Sequence, residues 1–205
     1  MDKLILNPFN KVAASTPATL VTNELQGRSL HMLDFVLSGT TLDRSHITNV
    51  RISAGQKDLI DGISGAELEK LNLYNFATTD AAHMCHYFGD PAARTIRGQH
   101  MGDVDFSIYQ DPLEIELTLA AGVSADADIE VIAYAGPPKS EYGVYNEVEQ
   151  AMVRALIRSV PQPSAAVSRK SYSIGLGSEA GAKIRQIHML HTNLTSVERS
   201  EERRV

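Results

Sequence analysis

Residues 83–135, HMCHYFGDPAARTIRGQHMGDVDFSIYQDPLEIELTLAAGVSADADIEVIAYA, decide the fold. Within them Leu113, Ile115, Leu117 and Leu119 occupy every second position, with Glu114, Glu116 and Thr118 between them. That alternation places four apolar side chains on one face of a strand and polar groups on the other. Residues 129–135 are more continuously apolar, as in a strand covered on both faces, and Gly122 to Asp126 supplies the reversal before them. The stretch therefore reads as a strand, an ordered loop, and two further strands lying antiparallel across a sandwich. Pro91, Arg94 and Asp105 are the residues on which the loop is expected to be built, with the Arg94 guanidinium satisfying nearby carbonyls or a carboxylate and so pinning it.

Working back toward the N-terminus, Leu33, Phe35 and Leu37 alternate in the same way. Residues 47–53 and 58–60 flank the turn Ala54-Gly55-Gln56-Lys57 and predict a hairpin. Ser64 followed by Glu67 is a capping box, so a short helix starts there with Leu68 and Leu71 on its buried side, packed over one end of the sandwich. Residues 1–27 read as an arm and an edge strand, which needs its own domain or a neighbouring subunit to order it.

Toward the C-terminus, Gly136-Pro137-Pro138-Lys139 is the strongest break, because paired prolines cannot continue a central strand. The expected division is residues 1–27, a sandwich at 28–138, and a second β unit with a linker helix at 139–205. In that last part Asn146 caps a helix expected over residues 146–160, and residues 171–176 and 184–190 read as strands. The final residues carry dense charge of both signs and read as solvated.

At 205 residues and 43% hydrophobic, the chain can bury a substantial core. A net charge of −6 argues against a protein whose work is neutralising phosphates, so no direct nucleic-acid binding is expected. The single cysteine, Cys85, excludes an intrachain disulfide and fits synthesis in a reducing cytoplasm. The first eight residues lack the apolar core of a secretion signal, and no stretch approaches the roughly 20 apolar residues of a membrane span.

The residues with catalytic or ligating chemistry do not form a catalytic pattern. On a strand His83 and Cys85 point to one side and His86 to the other, so the three do not converge on a metal. His188 and His191 fall on opposite faces in the same way. Asp103, Asp105 and Asp111 lie in or beside loops, where carboxylates can ligate calcium. A structural calcium ion is thus the one cofactor the sequence leaves open, although the spacing is not that of an EF-hand and loop capping is the simpler role. Glu114 and Glu116 are most simply a solvated strand face. The glycines between residues 175 and 183 miss the phosphate-loop spacing, and no serine sits in a Gly-x-Ser-x-Gly elbow. No enzyme is expected.

Three pieces in succession carry a resemblance: residues 47–75, where a Val-Arg-Ile strand leads through a glycine turn to a Ser-Gly-Ala-Glu-Leu helix ending Leu-Tyr-Asn; the Phe88-Gly89-Asp90-Pro91-Ala92-Ala93-Arg94-Thr95 loop; and the strand pair of residues 113–134. In order and spacing they resemble the N-terminal domain of the major coat protein of corticovirus-type tailless phages and their proviral relatives. The resemblance covers about the first two-thirds of the chain. It implies an all-β viral jelly-roll sandwich with short helices, usually two rolls per chain, and homotrimers that tile an icosahedral shell around a membrane and its DNA. It implies also that other virion proteins, those of the inner membrane included, are partners, and that the chain resides in the virion capsid. Residues 139–205 hold too few strands for a full second roll, so the expectation is a shortened relative with a partial or reduced second roll, a fragment, or a second unit that serves a different subunit contact. The alternatives are a jelly-roll spike or vertex module that binds a receptor or carbohydrate, and a cupin-like metalloenzyme. The first is disfavoured by 6% aromatics and no tryptophan, the second by scattered histidines.

Overall fold

The computed structural model describes residues 1–55, 57–74, 80–150 and 157–158. Its strands, in chain order, are β1 (Asp2–Ile5), β2 (Pro17–Thr22), β3 (Ser29–Ser38), β4 (Ile47–Ala54), β5 (Lys57–Ile63), β6 (His83–Tyr87), β7 (Val104–Asp105), β8 (Leu113–Leu119), β9 (Asp128–Gly136) and β10 (Ile157–Arg158). Three short α-helices, α1 (Gly65–Tyr74), α2 (Ile96–His100) and α3 (Glu147–Gln150), and two 3-10 turns sit in the connections.

Two five-stranded sheets result. One has the order β1-β9-β3-β6 with β7 also on β3, and the other β10-β5-β4-β8-β2. Apart from the parallel β10–β5 pair, every pairing is antiparallel. Only the β4–β5 hairpin joins strands that are neighbours in one sheet. Apart from β6 and β7, which both pair with β3, the chain otherwise passes back and forth between the sheets, and this double-wound Greek-key path is the jelly roll. The all-β expectation holds, and the two strands of the opening stretch, β8 and β9, lie in opposite sheets.

The alternation in β8 is realised residue for residue. Leu113, Ile115, Leu117 and Leu119 are buried, while Glu114 is exposed and Glu116 and Thr118 are half-buried. They close on Leu33, Phe35 and Leu37 of β3 and Ile129, Val131 and Ala133 of β9 within one core cluster. Leu30 also faces this core, three residues before Leu33, which a regular strand does not permit. The register shift between Leu30 and Met32 accounts for it, because a bulge there restores the phase.

Residues 1–27 contain two strands that join different sheets. β1 completes the first by pairing with β9, and β2 edges the second by pairing with β8. Leu6 and Phe9 follow β1 into the core, so this start is ordered by its own chain. The capping box forms: the Ser64 backbone N–H donates to Glu67 Oε2 at 2.8 Å, and the Glu67 N–H to Ser64 Oγ at 3.3 Å. α1 then buries Leu68, with Leu71 packed at the margin of the core. Ser64→Ala removes one half of that exchange and is expected to lower stability by about 1 kcal/mol in urea denaturation; an unchanged midpoint would mean that Glu67 alone holds the helix start.

The compact unit containing both sheets runs Met1–Ala166, past the Gly136-Pro137-Pro138 break. The helix expected over residues 146–160 does not extend to its C-terminal end. The described part of it is α3, Glu147–Gln150, residues 151–156 lie outside the described residues, and Ile157–Arg158 is instead a strand on β5. The reason is tertiary: β5 offers an open edge, and β-branched Ile157 suits a strand. Asn146 does cap α3, accepting from the Glu149 N–H at 2.9 Å. The strands expected at 171–176 and 184–190, the glycine loop, His188, His191 and the charged tail lie outside the described residues.

Candidate functional site

The excursion between β6 and β8, residues 88–112, and the segment after β9, residues 137–150, meet in a buried charged cluster. Asp103 and Asp105 are each 1% exposed and Lys139 is fully buried. Asp105 sits in β7, where its Oδ1 accepts from the Ser107 N–H at 2.9 Å and its Oδ2 from the Lys139 N–H at 2.8 Å. The Lys139 ammonium donates to the Met101 carbonyl at 2.9 Å. Burial pulls the Lys139 amine down to about 8, and the charges of Asp103 and Asp105 oppose that shift. Asp103 spends both oxygens on imidazoles, His31 Nδ1 at 2.9 Å and His100 Nδ1 at 2.8 Å.

Aromatic rings close the cluster. Tyr142 stacks on His100 with centroids 5.2 Å apart, and Tyr145 meets Tyr142 edge-on at 6.1 Å. Tyr145 donates its hydroxyl to the Arg97 carbonyl at 2.9 Å, and Arg97 pairs with Glu149. Burial, with the Asp103 charge behind it, pushes the Tyr145 hydroxyl up to about 12. The segment beyond the proline pair is thus clamped to the excursion at four successive points, Lys139, Tyr142, Tyr145 and Glu149.

This geometry relocates the residues singled out in the sequence. Asp103 and Asp105 share one buried cluster, where the charge they act on is that of the chain's own Lys139. Asp111 is exposed against the β4–β5 turn, where Gly55 leaves room for its side chain, so the three aspartates do not form one oxygen cage. Arg94 and Pro91 are exposed, and Arg94 makes no ion pair or hydrogen bond with the described residues. The loop is instead pinned by Asp90, whose N–H donates to the Gln99 carbonyl at 2.9 Å, by Gln99 Nε2 on the Ala93 carbonyl at 3.0 Å, and by the Thr95 cap of α2. A guanidinium on an exposed loop gains more from water than from a fixed partner, whereas a buried backbone group must be satisfied locally.

On the outer side of the first sheet His83 and Cys85 do share a face, and both reach Asp34 of β3. His83 Nδ1 lies 3.0 Å from its carboxylate and Cys85 Sγ donates to it at 3.3 Å. Burial and the Asp34 charge push the thiol up to about 12, so it is not a nucleophile at neutral pH. His86 points the other way and meets the Phe88 ring edge-on at 4.5 Å. His31, His100 and Lys139 were not legible as site residues. Each finds its partners through the fold, and only the acidic pair Asp103 and Asp105 signalled the place.

The profile of the viral coat protein P2 N-terminal domain matches residues 3–136, from β1 to the last residue of β9. The chain belongs to this coat-protein family. No curated protein matches it. Among solved structures, the major capsid protein P2 from bacteriophage PM2 superposes with a TM-score of 0.57 at 20% identity, covering 66% of this chain and 50% of that one. The chain spans about half the length of that capsid protein, and at such identity the likeness speaks for the jelly roll alone. The P2-type domain ends where the proline pair begins, so the clamp of residues 139–149 lies just beyond it, on the path to whatever follows. No helix among the described residues is long and apolar enough to cross a membrane.

Proposed function

We propose that this P2-type chain is a coat subunit that assembles with copies of itself into trimeric capsomers of an icosahedral shell, and that its role is structural rather than enzymatic. The observation that carries the reading is the match of the coat-protein domain to the whole jelly roll, strand β1 through strand β9. Exposed apolar side chains support it. Ile96 is 65% and Val148 73% exposed, on segments tied together by the Arg97–Glu149 pair. Burying such residues between many symmetry-related copies supplies cohesion from individually weak contacts. In that role the chain resides in the virion, after synthesis in the host cytoplasm, and meets other virion proteins, including those of an inner membrane, with no need to grip nucleic acid.

Light scattering and electron microscopy of the purified full chain test this. Trimers or shell-like particles are expected, and the pair Ile96→Asp and Val148→Asp is expected to shift the population toward monomer while circular dichroism stays unchanged. A monomer that neither trimerises nor assembles across salt and calcium conditions would overturn the coat reading in favour of a spike or receptor-binding module.

A further inference from the structure

Two histidines from distant parts of the chain converge on one buried carboxylate, and the fold goes to some length to bring them there. His31 lies at the β3 bulge: Leu30 opposes Ala135 and Met32 opposes Tyr134, which leaves His31 between them without a ladder partner. Bulges re-aim side chains in this way. Gly89 makes room for the ring, since a Cβ at that position would lie 2.6 Å from His31 Nδ1. His100 closes α2, and Asp103 follows it after one turn. The histidine side chains are each 13% exposed and that of Asp103 1%.

We propose that His31, His100 and Asp103 form a site for a single divalent transition-metal ion of the zinc class. One ligating atom from each residue lies within 4.8 Å of the others. Tetrahedral zinc holds nitrogen and oxygen ligands at about 2.0–2.1 Å, which sets neighbouring ligand atoms roughly 3.3 Å apart. The nitrogen-to-oxygen separations of 2.9 and 2.8 Å must therefore open by roughly 0.4 Å and the imidazoles close on each other, both reachable by ring rotation. His100 has the freedom to do so, because it ends a five-residue helix.

The donor set chooses the class of ion. Two imidazoles and one carboxylate suit zinc, cobalt, nickel or copper, whereas calcium and magnesium take oxygen ligands. The charge is favourable as well: the carboxylates of Asp103 and Asp105 face the single ammonium of Lys139, leaving one negative charge when both imidazoles are neutral. Tyr142 walls one side by stacking on His100, and the residual exposure of both histidines gives the ion an entry path and a water as fourth ligand. Binding exchanges the two Nδ1–H bonds to Asp103 for metal bonds, with the imidazole protons released or moved to Nε2. The effect on the fold is to tie β3 to the excursion after β6.

The full chain, stripped with a chelator, would be titrated with cobalt(II) as the visible probe and with zinc by calorimetry. One equivalent of cobalt with the absorption bands of a tetrahedral site is expected, displaced by zinc, together with a zinc-dependent rise in Tm. His100→Gln and His31→Gln are each expected to weaken zinc binding about tenfold or more. His188→Ala with His191→Ala is expected to leave it unchanged. Asp103→Asn can fail to fold because its carboxylate is buried beside Lys139, so the histidine variants, checked by circular dichroism, carry the test. Absence of saturable binding by the wild-type chain, or undiminished binding by the folded His31→Gln/His100→Gln double variant, would overturn the proposal.

Discussion

Lys139→Met is expected to destabilise the sandwich by about 3–5 kcal/mol, the usual cost of removing one partner from a buried ion cluster. The loss does not come from a strong attraction, since burial already weakens the case for a charged amine at this site. It comes from leaving the carboxylates of Asp103 and Asp105, each 1% exposed, with no ammonium beside them. Adding Asp105→Asn to Lys139→Met removes one of the stranded charges and keeps an oxygen for the Lys139 backbone N–H, so the double variant is expected to recover part of the loss. Urea midpoints of the wild type, the two single variants and the double variant measure the coupling. A Lys139→Met midpoint equal to wild type would show that water replaces the ammonium and that the clamp is not held by charge.

The second large effect is expected at Phe35. Its side chain is fully buried in β3, the strand flanked by β9 on one side and β6 on the other, where both sheets contribute to the core. Phe35→Ala removes the ring's transfer energy and leaves a cavity that a closely paired central strand cannot collapse, at a cost of about 3–5 kcal/mol. Because a domain of this kind is stable by roughly 5–15 kcal/mol, the variant sits near the limit of folding. Val21→Ala, on the exposed side of edge strand β2, is the matched control and is expected to change the midpoint by less than about 0.5 kcal/mol. Comparable effects at the two positions would place the core somewhere other than between these sheets.

Much of the fold was legible because its signals are local. The β8 alternation, the β4–β5 hairpin and the Ser64–Glu67 box each lie within a dozen residues, and each depends on backbone geometry that its own residues set. The cluster around Lys139 was not legible for the opposite reason. Asp105 and Lys139 meet only because β9 returns beside β3 and β7 pairs with the end of that same strand. His31 is hidden further by the bulge, since strict alternation from Leu33 backward assigns it to the core face. Arg94 shows the converse error: nearness in sequence to three aspartates gave it a role that exposure takes away.

The place of β1 also has a consequence for how the subunit is made. Asp2 stands opposite Ala135, so β1 cannot pair until β9 has also left the ribosome. At about 5–20 residues per second the gap is on the order of ten seconds. During that interval the β1 segment and its apolar followers Leu6 and Phe9 wait without their partner strand β9, while chains on neighbouring ribosomes of the same message are at nearby stages. A nascent copy can therefore lend its first strand to the β9 edge of another, the strand exchange by which subunits become linked at little energetic cost.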